Sequence, residues 1–313
     1  MSERYALYTA KLVPAAGAKH ITSIESHRWS PSSTKSPYSP GGSVDLAFQS
    51  LAVADPVHEF TTPDLSTILG SGGVDPAVGL NCGSGAVFTR IHRADNSVFT
   101  ATSSSSTHVT FTSSAGFACL QSISAGQDDE GGAMATVLYY PQSSDGQAAP
   151  ETVAKAAINT AVNAPAYVSR YFLSLVKAGG SEIPSVSNVS IDFGKEFKRF
   201  RFSGDVFPKS GSIVSRRPTV SVTCAASGFN STLQQFTNNS SGAGTLTVFL
   251  QKESNSTANG RVAKGTSQHI KLTATGLEYS VDEDSVTNNE DATVTFTMSV
   301  LGTVAASVAS AIS

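Results

Sequence analysis

Ser106-Thr-His-Val-Thr-Phe-Thr-Ser-Ser-Ala-Gly-Phe117 and Ser267-Gln-His-Ile-Lys-Leu-Thr-Ala-Thr-Gly-Leu277 read as two versions of one segment. His108 falls on His269 (269 − 108 = 161). Val109 and Phe111, like Ile270 and Leu272, alternate with polar residues, the period of a half-buried strand. Working outward, Gly85-Ala-Val-Phe-Thr-Arg-Ile-His-Arg93 resembles Gly244-Thr-Leu-Thr-Val-Phe-Leu-Gln-Lys252, and Ala133-Met-Ala-Thr-Val-Leu138 resembles Ala292-Thr-Val-Thr-Phe-Thr297. Ile21-Thr-Ser-Ile24 pairs with Ile183-Pro-Ser-Val186, and Arg4-Tyr-Ala-Leu7 with Arg170-Tyr-Phe-Leu173. At the end, Thr152-Val-Ala-Lys-Ala-Ala157 matches Thr303-Val-Ala-Ala-Ser-Val308. Matches that keep one order along the chain imply an internal repeat. The expectation is two tandem copies, residues 1–164 and 165–313, joined near Pro165.

The 313 residues suit two units, each long enough to bury a core. With 21 Lys and Arg against 24 Asp and Glu, the net charge of −3 gives no electrostatic reason for tight nucleic-acid binding. Charged residues make up only 14%, so such a surface invites burial against other subunits. Cys82, Cys119 and Cys224 form no CxxC pair, and an odd count argues against a disulfide framework. We expect no signal peptide, because Lys11 interrupts the apolar N-terminal stretch, and no membrane helix. The sequons at Asn188, Asn230 and Asn255 then read as loop composition.

Each copy is expected to open with a strand, Arg4 to Val13 and Tyr167 to Val176, although the second also shows helical spacing. Three prolines and two glycines in residues 30–42 argue against regular structure there. The equivalent stretch of copy two carries Ile191, Phe193, Phe197, Phe200 and Phe202, a long hairpin arm suited to reaching a neighbouring subunit. Thr62-Pro63-Asp64 announces a short helix, with Pro63 at its first position, that Gly70 stops, with Leu65 and Ile68 on one face; its counterpart begins at Asn230. The apolar stripe from Val153 to Val162 predicts a helix over about 151–163, with a partner over 303–313. The fold class expected is therefore mainly β: two sandwich or curved-sheet units, each with small flanking helices and a long arm.

Catalytic motifs are missing: no GxxxxGK[ST], HExxH or GxSxG occurs. No catalytic, cofactor-binding or metal residue is proposed, and no cofactor. His108 and His269 read as strand-start histidines with satisfied hydrogen bonds. The acidic clusters Asp128-Asp129-Glu130 and Asp282-Glu283-Asp284, the latter followed by Glu290-Asp291, lack calcium-loop spacing and read as hairpin-tip charge. A channel-facing role, repelling DNA, is the functional alternative.

Glu182-Ile-Pro-Ser-Val-Ser-Asn-Val-Ser-Ile-Asp-Phe-Gly-Lys195, then Phe202-Ser-Gly-Asp-Val-Phe-Pro208 and Arg217-Pro-Thr-Val-Ser-Val-Thr223, resemble the major tail tube proteins of long-tailed bacteriophages in layout. Copy one repeats the plan more weakly, with Ala54-Asp-Pro-Val57 in the Arg-Pro place. The resemblance implies a structural virion protein of the tail, made in the host cytoplasm and not an enzyme. Members form rings of six tube domains, so a two-domain chain would need three copies, a homotrimeric pseudo-hexamer. Stacked rings give a hollow channel for DNA ejection, without specific DNA binding. Implied partners are the chain itself and the tape measure, distal tail and terminator proteins. The alternative is a decoration or adhesin-type binding module with two immunoglobulin-like domains.

Overall fold

A computed structural model describes residues 5–38, 48–92, 108–126, 132–156, 168–225, 244–254, 260–285 and 293–312. The chain is mainly β and antiparallel. In the first half the strands are β1 (Tyr5–Leu12), β2 (Lys19–Ile24), β3 (Ser26–Ser30), β4 (Ser33–Tyr38), β5 (Phe48–Ala54) and β6 (Val57–Thr62). Helix α1 (Leu65–Leu69) leads to β7 (Leu80–Cys82), β8 (Ala86–His92), β9 (His108–Ser113), β10 (Gly116–Gly126), β11 (Met134–Pro141) and β12 (Glu151–Ala156). The second half has β13 (Tyr171–Ala178), β14 (Ser181–Glu182), β15 (Val186–Asp192), β16 (Lys195–Phe200) and β17 (Ser210–Arg216). It continues with β18 (Thr219–Ala225), β19 (Gly244–Lys252), β20 (His269–Ser285), β21 (Thr293–Val300) and β22 (Val304–Ser310).

Alternating burial explains these strands. In β11, Ala135, Val137 and Tyr139 face inward while their neighbours are half-exposed; in β18, Val220, Val222 and Cys224 do the same. Full burial of side chains such as Phe60, Leu120 or Phe296 is worth about 1.5–3 kcal/mol each. In the first half one sheet has the order β12-β9-β8-β1-β2, and a second runs β10-β11-β6-β3. In the second half β22, β20, β19, β13 and β14 follow one another as neighbours, and so do β20, β21, β18 and β15. Here β20 is a single 17-residue strand that serves both layers. In the first half the chain turns between β9 and β10, where Tyr139 Oη meets Ser113 Oγ at 2.6 Å and donates to the Ala115 carbonyl. Burial pushes the Tyr139 hydroxyl pKa up. Between the layers lies one contiguous apolar core that spans both halves.

The registers of the halves correspond. Leu120–Val137–Phe60–His27 lie opposite one another across β10, β11, β6 and β3. Val281–Phe296–Val222–Val189 do so across β20, β21, β18 and β15. A bulge interrupts β10 between Leu120 and Ser122, and β20 between Val281 and Glu283. The two-stranded arms, β4–β5 and β16–β17, also match. Lys35↔Leu51 and Phe197↔Ile213 follow bulges at corresponding places.

Three expectations change. Residues 151–156 and 304–310 are strands, not helices: β12 pairs with β9 and β22 with β20. The sheet edges offered to these segments satisfy their backbone groups, and Val153 of the supposed buried stripe is 52% exposed. Residues 33–38 form β4 despite Pro37, because an edge strand in a two-stranded arm tolerates a missing N–H. The cap of α1 is Asp64, whose carboxylate accepts from Thr67 N–H at 3.2 Å, so Pro63 precedes the helix. The strand expected to open the second copy is present and runs over Tyr171–Ala178. The expected join near Pro165 and the helix at Asn230 lie outside the described residues.

Candidate functional site

The halves meet edge to edge. Ser122↔Asp192, Ile123↔Ile191, Ser124↔Ser190, Ala125↔Val189 and Gly126↔Asn188 pair β10 with β15, so the two inner sheets run on as one. At the bulge the carbonyl of Gln121 accepts from Phe193 N–H at 2.9 Å. The same edges elsewhere have no described strand partner. On its outer side β3 ends the sheet order, and residues 278–285 of β20 pair only with β21. Unpaired backbone edges are templates for another chain.

Arm β16–β17 crosses this joint. Phe197 stacks on Tyr140 (ring centroids 4.3 Å apart) and on Phe117 (5.0 Å). Arg199 lies over the Tyr140 ring and within 3.3 Å of Asp55, which also pairs with Arg201. Burial, outweighing Asp55 and Tyr140, lowers the Arg199 pKa; burial raises that of Tyr140 to about 12. Lys195, sunk beside the arm's base, is pushed down to about 8, chiefly by burial. The tip docks on the loop between β11 and β12. Ser143 N–H donates to the Pro208 carbonyl at 2.8 Å, and Phe207 N–H to the Gly146 carbonyl at 3.0 Å. Gly146 has φ +77° and a side chain there would meet the Asp205 carboxylate at 2.2 Å, so glycine is required twice over.

The first half also buries a polar chain between its layers. Glu151 accepts from Trp29 Nε1 at 2.5 Å and meets His58 Nε2 at 2.6 Å. His58 Nδ1 lies 3.0 Å from His27 Nε2, and Arg90 Nε donates to His27 Nδ1 at 3.2 Å. His58 stacks on Phe88, with centroids 4.3 Å apart. Burial first, then His58 and Arg90, lower the His27 pKa to about 3, which keeps the ring neutral. The side chains of His58 and Glu151 are 1% and 6% exposed. This network ties β3, the sheet-end strand, to β6, β8 and β12. Sequence reasoning missed it because its members are spread from position 27 to position 151.

Of the arm residues expected from sequence, Ile191 and Phe193 are core residues at the arm's base, 2% and 1% exposed. Phe197 stacks on Phe117 and Tyr140 of the first half of the same chain, where the adjoining sheet is already present. Phe200 and Phe202 are exposed, at 37% and 64%. Asp128, Asp129, Glu130, Glu290 and Asp291 lie outside the described residues. Asp282, Glu283 and Asp284 belong to the backbone of β20, in strand rather than at a tip. His269 is buried at the start of β20; its Nδ1 accepts from Lys252 N–H at 3.1 Å and its Nε2 donates to the Ala263 carbonyl at 2.9 Å. His108 is buried at the start of β9. Cys82, Cys119 and Cys224 are buried and unbridged, and burial raises the first two thiols to about 12 and about 11. Among the described residues no group of three His, Cys, Asp or Glu could hold a metal, and no helix is long and apolar enough to cross a membrane. Compared with known proteins, the chain matches no family model and no curated protein.

Proposed function

We propose that the chain is a tandem duplication of one β unit that assembles with itself, edge to edge, into the hollow tail tube of a long-tailed bacteriophage. The observation that carries this is the β10–β15 joint, with its equivalent edges open at β20 and β3. Moving from β10 to β20 adds 161 residues (277 − 116 = 161), the spacing of His108 and His269. Moving from β15 back to β3 subtracts 162 (188 − 26 = 162). The joint repeated between copies then sets Glu283 opposite Ser30, Asp284 opposite Trp29 and Ser285 opposite Arg28 of the next chain. Pro31, lacking an N–H, stands where Phe193 donates in the joint, so pairing stops at Ser30.

Each half would give four strands to an inner wall, so a ring of three chains has 24 (3 × 8). Barrels of 16–18 strands already leave a water-filled channel. One chain carrying two units halves the association events needed per ring. The net charge of −3 suits DNA that slides without being held. The continuous sheet through the joint disfavours two independent binding domains.

Negative-stain microscopy with sedimentation velocity tests this. Hollow rings or tubes built from multiples of three chains are expected. A monomer that persists at high concentration, alone and with a tail initiator complex, would sink the proposal.

A further inference from the structure

We infer that the β4–β5 arm seats on the second half of a neighbouring copy, placing Lys35 against Glu278 and Ser299. This rests on the edge pairing above but concerns a different surface. An isolated two-stranded hairpin is marginal in water and needs something to lie on. Arm β16–β17 has its support, across the joint. Arm β4–β5 has the same length, residues 31–56 against 193–218, and the same register and bulge. It is rooted beside β3, beyond which the sheet ends.

Among the described residues, the exposure of matched positions marks where the two arms differ; only the root of β5 is held, by Ala54 N–H donating to the Val206 carbonyl at 3.1 Å. Lys35 is exposed where Phe197 is half-buried, and Leu51 is 43% exposed where Ile213 is half-buried. The seat follows from the strand registers. Phe197 rests on Phe117 and Tyr140. By register the equivalents of that pair are Glu278, 161 positions on (278 − 117), and Ser299, 159 on (299 − 140). Both are exposed. An aromatic stack inside the chain is thus replaced between chains by a cation facing a carboxylate and a hydroxyl. Nearby, Leu301, 62% exposed, occupies the place of the loop on which the other arm's tip docks. The change of chemistry separates the two seats: a charged, hydroxylated seat offers the Phe197 ring no stacking partner, and the aromatic seat offers Lys35 no carboxylate.

The test uses the intact chain. A zero-length carbodiimide reagent joins an amine to a carboxylate only when the two touch. In a mixture of isotopically light and heavy protein, assembled under native conditions, an inter-chain Lys35–Glu278 peptide is expected by mass spectrometry. The peptide should vanish in Lys35→Arg, which keeps the charge and the assembly. Lys35→Glu and Glu278→Lys should each raise the concentration needed for assembly by about twofold to fivefold per contact, as an exposed pair allows. The doubly reversed protein should return to the wild-type value. Tubes that form without the inter-chain peptide, or reversals that fail to rescue one another, overturn the arm seating alone. Wild-type protein that never assembles overturns the edge pairing, and the seating with it.

Discussion

Where the first half places Arg90, His27, His58, Glu151 and Trp29, the second half, by strand register, places Leu250, Val189, Val220, Val304 and Ile191. All five residues of the second set are buried. Ser113 and Tyr139, hydrogen-bonded in the first half, correspond to Ala274 and Met298. Matched strand registers are therefore held once by a polar chain and once by aliphatic packing. Backbone pairing sets the fold in both. The polar chain adds directional ties from β12 and β8 to β3, the last strand in the described sheet order. A strand with a described neighbour on one side only gains from such ties, whereas β15 is held by β10 and β18 on both sides.

Removing one partner should show the largest effect. Glu151→Ala leaves His58 and Trp29 without their acceptor, and loss of about 3–5 kcal/mol is expected. Denaturant unfolding followed by emission of Trp29, the single tryptophan, reads the first half directly. Val304→Ala at the matched place should cost only about 2 kcal/mol. If the two losses are equal, the network is no more than packing.

Giving the first half the second half's residues together (R90L, H27V, H58V, E151V, W29I) should be neutral or stabilising by about 1–4 kcal/mol, because no buried polar group is then left unpaired. Calorimetry measures this, since the tryptophan is gone. A large destabilisation would mean that the two sandwiches differ in shape as well as in chemistry.

Exposed and seated arms should differ next. Phe197→Ala should cost the single chain about 2 kcal/mol, because its ring is stacked on two others. Lys35→Ala should change the single chain's stability by less than about 0.5 kcal/mol. Equal effects, measured by urea unfolding below the assembly concentration, would remove the distinction between the arms.

Acid dependence is the graded effect. The unfolded chain takes up a proton at His27 near pH 6.5, and the folded chain only near pH 3. A depressed histidine favours the unfolded state as pH falls, so stability is whole above about 6.5 and declines towards 3. One proton gives a slope of about 1.4 kcal/mol per pH unit. His58, Arg90 and, through His58, Glu151 face this group, and the common carboxylate background is subtracted with His27→Val. An unchanged slope in that variant would show that His27 does not carry it.

Much of the β pattern was legible because strand burial has period two: residues 86–92, 108–113, 134–141 and 219–225 announce themselves. An arm within residues 190–204 was also visible, though its return strand Ser210–Arg216 was not. The strands at 151–156 and 304–310 were not, because Ala- and Val-rich segments satisfy helical and strand spacing equally until a sheet edge is offered to them. Phe193 looked like an arm residue and proved to be core, since alternation shows that a residue has an inside but not which body covers it. The polar network left no trace, because Trp29, His58 and Glu151 belong to three separate elements.

The sequence by itself determined the local alternation, the spacings of about 160 between like segments, and the unlike chemistry of Lys35 and Phe197. Only the tertiary structure decided that β10 meets β15, that β3 and the end of β20 have no further strand partner among the described residues, and that Phe197 is stacked where Lys35 is exposed. Local periodicity is carried by neighbouring residues. The choice of which edges pair depends on backbone groups more than sixty positions apart, and no short stretch of chain encodes it.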